Sequence, residues 1–449
     1  MRGLRSTIAL LVVLVGLGAY VYFVTWKKSG ADTGPKKEKV FAAVEPDKID
    51  ELKVKSESGD VTSLKKTSGT WQIVAPISAP AAESEIIGLT SALGQMEIVR
   101  VIHESPTDLK EYGLDTPRIE VEFKSGEGKP SGRLLVGIKT PTGASLYARR
   151  NDEKRVFLIP DYQDSSLNKS TFNLRDKALI KIARDKVDGV EVNVSAKPIQ
   201  FAKDGSDWKI TKPISARADF SSVEGLVGRI ETAQMKSIVT DQASSADVKK
   251  YGFDKPEVTV TINQGSARAV VEIGGKSGED AVYARDLSKG SVVTLDKSLA
   301  DDLKKGVDDY RRKDVFEFRA FNATRVEFTR GSQTIVLERV KGQGDKAQDS
   351  WRRISPNPAD ADKSKVESLL AGLADIRATS FTDSIAKTGL DSPAMTLLVK
   401  FEDGKKEERV SFGKNGADVH ALIQGQPGAA KIEAEKFDEA NKSLDELSK

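Results

Sequence analysis

One phrase occurs three times in this chain: Tyr112-Gly113-Leu114-Asp115-Thr116-Pro117, Tyr251-Gly252-Phe253-Asp254-Lys255-Pro256 and Thr388-Gly389-Leu390-Asp391-Ser392-Pro393. Its glycines lie 139 and then 137 residues apart. Trp71, Trp208 and Trp351 keep nearly the same period, at 137 and 143, and each is followed five residues later by a proline: Pro76, Pro213 and Pro356. Solenoid units of about 20–50 residues cannot bury a core alone, whereas a unit near 140 residues can. The 449 residues exceed what one hydrophobic core usually serves. Three modules are therefore expected, over residues 40–180, 181–316 and 317–449.

Each copy opens on an alternating segment: Glu51-Leu52-Lys53-Val54, Val190-Glu191-Val192-Asn193-Val194 and Arg325-Val326-Glu327-Phe328. Alternation of period two marks a strand with one buried face. The Trp-containing strand follows, and then apolar residues recur at helical spacing. The sets are Ile86, Leu89, Leu93 and Met96; Val223, Leu226, Val227 and Ile230; and Val366, Leu369, Leu370, Leu373 and Ile376. Each set makes one stripe, enough to cover a sheet face.

The repeated phrase reads as a stop signal. Residues 108–112, 247–251 and 384–388 are predicted to be short helices ending at the glycine, which tolerates the left-handed conformation. Leu114, Phe253 and Leu390 then pack back on Leu109, Val248 and Ile385, and the proline three residues beyond the glycine prevents continuation. Asp115, Asp254 and Asp391 belong to this turn, a structural assignment rather than a catalytic one.

Strands resume at residues 119–123, 258–262 and 396–401, then at 134–136, 271–273 and 410–412, the last set ending at Gly137, Gly274 and Gly413. Neighbouring strands without helices between them pair antiparallel. The expected class is α+β: three tandem homologous modules, each an antiparallel sheet with one main amphipathic helix, preceded by one N-terminal transmembrane helix.

That helix is expected over residues 7–26, with residues 8–24 free of charge and Tyr20, Tyr22, Phe23 and Trp26 crowding the far end. About 20 apolar residues at 1.5 Å each span a hydrocarbon layer of about 30 Å, and aromatic rings favour its interface. Gly16, Gly18 and Ala19 hint at a signal-peptide cleavage site, but the apolar run continues through Val21, Phe23 and Val24, which favours a retained anchor. Residues 27–39 read as a polar tether. Lys27, Lys28, Lys36, Lys37 and Lys39 follow the span against Arg2 and Arg5 before it, a count that opposes export of the body and leaves orientation open.

No constellation of residues points to catalysis, a cofactor or a metal. The absence of cysteine removes disulfides and thiolate chemistry, and His103 and His420 are too far apart in sequence to suggest a ligand set. His420 occupies the slot of Tyr147 and Tyr283 in the sister copies, which reads as a strand ring. Gly275-Lys276-Ser277 resembles the end of a phosphate loop, but Val270 stands where that motif requires glycine, so a hairpin is expected and nucleotide binding is not. Asp301-Asp302 and Asp308-Asp309 read as solvated helix faces. With 70 basic against 67 acidic residues and no concentrated basic stripe, nucleic acid is not an expected partner. The three tryptophans remain as candidates, either plugs of a core or a platform on which a ligand stacks.

The N-terminal span, the Trp-x-x-x-x-Pro strand and the Tyr-Gly-Leu-Asp-x-Pro phrase together resemble a bacterial domain-of-unknown-function family. Its members include membrane-anchored repeat proteins related to the auxiliary component of gliding-motility-type ABC transporters. The resemblance covers roughly residues 40–449, with Thr388 departing from the tyrosine. It implies a single-pass protein of the bacterial inner membrane, its bulk in the periplasm, working beside transporter or other membrane-complex subunits. It supplies no active site. The expected function is a non-enzymatic scaffold or accessory subunit. The alternative is an extracytoplasmic binding module for peptide, glycan or transported substrate, which exposed indoles beside an apolar cleft would favour.

Overall fold

The computed structural model describes residues 16–17, 19–20, 38–126, 131–342 and 348–448. Among these residues three antiparallel sheets of nine strands follow one another, all with the same strand order. In the first module the strands are β1 (Glu51–Lys55), β2 (Val61–Thr67), β3 (Thr70–Ala75), β4 (Ala79–Pro80), β5 (Arg100–His103), β6 (Ile119–Lys124), β7 (Ser131–Lys139), β8 (Ser145–Arg150) and β9 (Val156–Pro160). They lie side by side as β4-β3-β2-β1-β6-β7-β8-β9-β5. The second sheet runs from Gly189–Val194 to Val292–Asp296 and the third from Ala323–Arg330 to Ala429–Ile432.

Alternation places the core on one face of each sheet. In β1, Leu52 and Val54 are buried and pair across to Phe123 and Val121 of β6. The helix α1 (Glu83–Gln95) covers that face with Ile86, Leu89 and Leu93. Its counterparts are α2 (Phe220–Glu231), which buries Val223, Leu226, Val227 and Ile230, and α3 (Lys363–Ala374), which buries Val366, Leu369, Leu370 and Leu373. A further helix, α4 (Ala434–Ser448), adds Phe437, Ala440 and Leu444 to the third core. The prolines after the three tryptophans each follow a cis peptide bond.

The repeated phrase caps the other face. Gly113, Gly252 and Gly389 are left-handed, at φ 63°, 84° and 76°. Leu114 N–H donates to the Leu109 carbonyl at 3.0 Å and Phe253 N–H to that of Val248 at 2.8 Å, the bond that closes a glycine-capped turn. Small apolar clusters form there, Tyr112 with Leu114 and Tyr147, and Tyr251 with Phe253 and Tyr283. The expected helices are only partly present. Lys110–Tyr112 is a single 3-10 turn and Ser245–Lys250 an α-helix, whereas residues 384–388 form a turn and no helix. There Lys387 is itself left-handed, at φ 61°, and Thr388 spends its hydroxyl on the Ile385 carbonyl. A side chain competing for the backbone carbonyl displaces a helical turn.

A glycine inside the second strand after the phrase, which runs on past it to Lys139, Lys276 and Asn415 in the three copies, receives the phrase itself. A Cβ on Gly137 would lie 2.0 Å from the Tyr112 carbonyl oxygen, one on Gly274 2.1 Å from that of Tyr251, and one on Gly413 2.6 Å from that of Thr388. Two backbones lie on one another with no room for a side chain.

The expected anchor and tether lie outside the described residues except for Gly16, Leu17, Ala19, Tyr20, Glu38 and Lys39. Among the described residues no helix is long and apolar enough to cross a membrane. The chain divides into two compact units, Met1–Asp176 and Lys177–Lys449, so the second and third modules share one unit.

Gly274→Ala is expected to destabilise the second module by about 1–3 kcal/mol, the usual range for forcing atoms into a filled site. Gly88→Ala, on an open face of α1 with nothing within 4 Å, is expected to be neutral or stabilising by up to about 1 kcal/mol. Chemical denaturation of the two variants tests the contrast.

Candidate functional site: the joint between the second and third modules

The tryptophans are the residues that the sequence put forward for binding, and all three are interior. Trp71, Trp208 and Trp351 are 4%, 2% and 1% exposed. Trp208 donates from Nε1 to Glu224 at 2.9 Å, and Lys203 and Arg339 lie over the Trp208 and Trp351 rings. These indoles plug cores. His103 is exposed and accepts the Ser105 N–H at Nδ1, while His420 is half-buried on its strand opposite Gly413. Lys276 ends a strand that turns into a hairpin with Ala281–Asp286. Asp302 is paired with Arg229 and Lys305, and Asp309 caps the Gly306 N–H. Among the described residues no group of three or more potential metal ligands occurs.

A shallow depression lies on the polar face of the first sheet, lined by Glu51, Lys53, Lys65, Glu122, Lys124 and Arg133. Each carboxylate is shared between two of the cations: Glu51 meets Lys65 and Lys124, and Glu122 meets Lys53 and Arg133. A self-paired lattice of exposed side chains offers a ligand little that water does not.

The most organised polar assembly lies where the second module becomes the third. Residues 310–312 pair with the second module and residues 313–315 with the third, with no spacer between. Asp219 N–H donates to the Tyr310 carbonyl at 2.7 Å and Arg312 N–H to the Arg217 carbonyl at 3.0 Å. Immediately downstream, Ala378 N–H donates to the Lys313 carbonyl at 2.7 Å and Val315 N–H to that of Ile376 at 3.1 Å. The chain is spliced into both sheets in succession.

Side chains reinforce the splice. Arg217, from the second module, donates to Glu317 at 3.0 Å and to the Asp314 and Val315 carbonyls at 3.0 and 3.3 Å. Its backbone N–H donates to Gln426 Oε1 at 2.9 Å, in a hairpin of the third module. Glu408 lies 3.8 Å from Arg217 and accepts the Glu317 and Phe318 N–H groups at 2.8 and 3.1 Å. Glu317 also faces Arg312 at 3.4 Å, so one carboxylate sits between two guanidinium groups. Arg311 is 5% exposed, donates to the Pro427 carbonyl at 3.0 Å and lies 3.7 Å over the Phe381 ring. A buried cation that is hydrogen-bonded and stacked is held in one geometry.

The two carboxyls titrate in opposite senses. Burial pushes Glu408 above the usual carboxylate range, outweighing its two backbone N–H donors. Burial would also raise Glu317, but the hydrogen bond from Arg217 and the charges of Arg217 and Arg312 hold it below that range. Glu317 therefore stabilises the joint above its unfolded pKa of about 4.3, and this is lost as pH falls through its lower folded value. Glu408 acts oppositely: its contribution is complete below about 4.3 and declines as pH rises through its higher folded value.

Sequence reasoning missed this joint. The copies do not share its residues: Pro80 and Asp360 occupy the position of Arg217 in the sister modules, so no periodic signal marks it. Arg217→Leu is expected to cost about 1–3 kcal/mol, below the about 3–5 kcal/mol of a fully buried broken pair because water reaches part of the site. The check is faster proteolysis within residues 312–318. Glu317→Gln is expected to destabilise at pH 7, with the difference shrinking as pH falls below about 4.3 and vanishing only once the lower folded value of Glu317 is passed, as read by denaturant titration.

No curated protein matches this chain. Among solved structures, a DNA polymerase sliding clamp from Pseudomonas aeruginosa with ligand is similar at 7% identity, covering 88% of this chain and 93% of that one, with a TM-score of 0.17. Another structure of the clamp from that organism gives 7% identity, 87% and 93% coverage and a TM-score of 0.16. At those TM-scores the likeness carries no argument. The family described as domain of unknown function DUF4340 matches residues 71–207, 208–350 and 351–449, each match opening on one of the buried tryptophans, and the chain belongs to that family.

Proposed function

We propose that the protein is a non-enzymatic, membrane-anchored scaffold or accessory subunit of an ABC-type export or gliding-motility-like assembly. Residues 7–26 hold it in the bacterial inner membrane and the three modules lie on the periplasmic side. The joint carries this reading. A double splice with Arg217, Arg311, Glu317 and Glu408 built into it makes two modules move as one body. Surfaces held at a fixed separation suit a part that positions other proteins.

The alternative, a binding module organised around the tryptophans, loses its platform because the indoles sit in the cores. An anchor beside the assembly raises the effective concentration of weak contacts, so the module surfaces need little affinity of their own.

Cross-linking in native membranes is expected to recover transporter or other membrane-complex subunits with the chain. Arg217→Leu is expected to reduce that recovery while leaving the amount of membrane-bound protein unchanged. Recovery of cell-wall material alone contradicts the proposal. Protease added to spheroplasts is expected to digest the modules, and their protection until lysis contradicts the periplasmic placement.

A further inference from the structure

The strand pairing leaves one equivalent position empty. In the first module the stretch Pro80-Ala81-Ala82 receives Leu174-Arg175-Asp176: Ala82 N–H donates to the Leu174 carbonyl and Asp176 N–H to the Pro80 carbonyl. In the second module Arg217-Ala218-Asp219 receives Tyr310-Arg311-Arg312 through the same two bonds. The third module presents Asp360-Ala361-Asp362 at this place, with Ala361 opposite Trp351 as Ala81 and Ala218 lie beside Trp71 and Trp208. Here the Asp360 carbonyl and the Asp362 N–H face outward with no partner among the described residues. After the last strand the chain enters α4 instead of returning as an extended segment.

The occupied slots identify what fits. In each, the filling tripeptide immediately precedes the tripeptide that pairs into the next module: 174–176 precede 177–179, and 310–312 precede 313–315. The first module is entered by the same kind of pairing, with Val40 N–H donating to the Met96 carbonyl, Ile98 N–H to the Glu38 carbonyl and Lys39 opposite Glu97. The tripeptide before that entry is Pro35-Lys36-Lys37, which lies outside the described residues.

Its chemistry matches on three counts. The middle residue is basic in every case: Arg175, Arg311 and Lys36. The first residue supplies only its carbonyl, so Pro35 meets the requirement without an N–H. The third residue of the filling tripeptide stands opposite the position of Asp360, where a lysine such as Lys37 would make an opposite-charge cross-strand pair. In the second module that pair is Arg217 with Arg312, and Glu317 lies between the two cations; the first module has Ala42 at the position of Glu317. The bridging acid is absent where the proposed pair needs none.

We propose that the open slot at Asp360-Ala361-Asp362 takes residues 35–37 of a second copy of this chain, joining copies head to tail. Such a contact uses two different surfaces, so it propagates or closes into a ring according to its rotation. The inference stands whether or not residues 7–26 sit in a bilayer and whatever transporter the protein serves.

The chain has no cysteine, so introduced thiols report cleanly. Directly opposed residues of an antiparallel pair lie within disulfide reach. Full-length Lys37→Cys/Asp360→Cys, oxidised in native membranes, is expected to give a reducible ladder at multiples of the 48.7-kDa chain. Co-expressed, differently tagged Lys37→Cys and Asp360→Cys chains are expected to form the mixed dimer. Mixed dimer no more abundant than from Lys197→Cys with Asp360→Cys overturns the proposal. A reducible monomer of altered mobility without a ladder also overturns it, because the chain then fills its own slot. In detergent, Asp360→Lys is expected to lose the sedimenting oligomer and added Lys37→Asp to restore it. Loss without that rescue is the signature of a structural role for Asp360 and contradicts the pairing.

Discussion

Each third of this protein depends on one place where a backbone carbonyl rests against a strand that has no side chain. The carbonyls of Tyr112, Tyr251 and Thr388 fill the space over Gly137, Gly274 and Gly413. That contact needs a left-handed residue directly after the carbonyl, which Gly113, Gly252 and Gly389 supply. Once the turn is seated, Leu114, Phe253 and Leu390 are buried on the sheet face opposite the main helix. Both faces of a curved sheet are then covered, one by a helix and one by a turn. The two glycines of each copy are thus a single device, separated in sequence and joined in space.

This explains which parts of the fold were legible. The period, the alternating first strand and the helical stripes are local patterns repeated three times, and repetition separates signal from accident. Leu52, Val54, Ile86 and Leu89 are buried as their spacing required. The second strand of the first sheet carries a weaker pattern than its counterparts. Its sequence, Val61-Thr62-Ser63-Leu64-Lys65-Lys66-Thr67, carries only two apolar residues, of which Leu64 enters the core, and it is paired on both sides. The helix expected at residues 384–388 is absent because Thr388 offers a hydroxyl where its sisters offer a ring, while the left-handed Gly389 is present as expected. The joint was illegible because it is made of differences between copies, and a period reveals only what is shared.

The same contrast organises the functional reading. What the modules share builds their cores, tryptophans included. What distinguishes them lies at their ends, where Pro80, Arg217 and Asp360 occupy one structural position with three chemistries. The second of these fastens its module to the third through Glu317 and Glu408, and the third lies on a backbone edge that has no partner among the described residues. The three copies present equivalent sockets, and the first two are filled by residues 174–176 and 310–312 of this chain. Two modules joined this way keep their surfaces at a set separation, and the proposed scaffold role rests on that property.

The fixed geometry of the second and third modules is the claim on which the rest stands, and a distance distribution addresses it directly. Spin labels at Lys197 and Lys405, exposed sites in the two modules of a chain without cysteine, permit pulsed dipolar measurement of that distance. A single narrow distribution in the natural chain is the predicted result. A broad or multimodal distribution there means that the modules swing independently, and it contradicts the account.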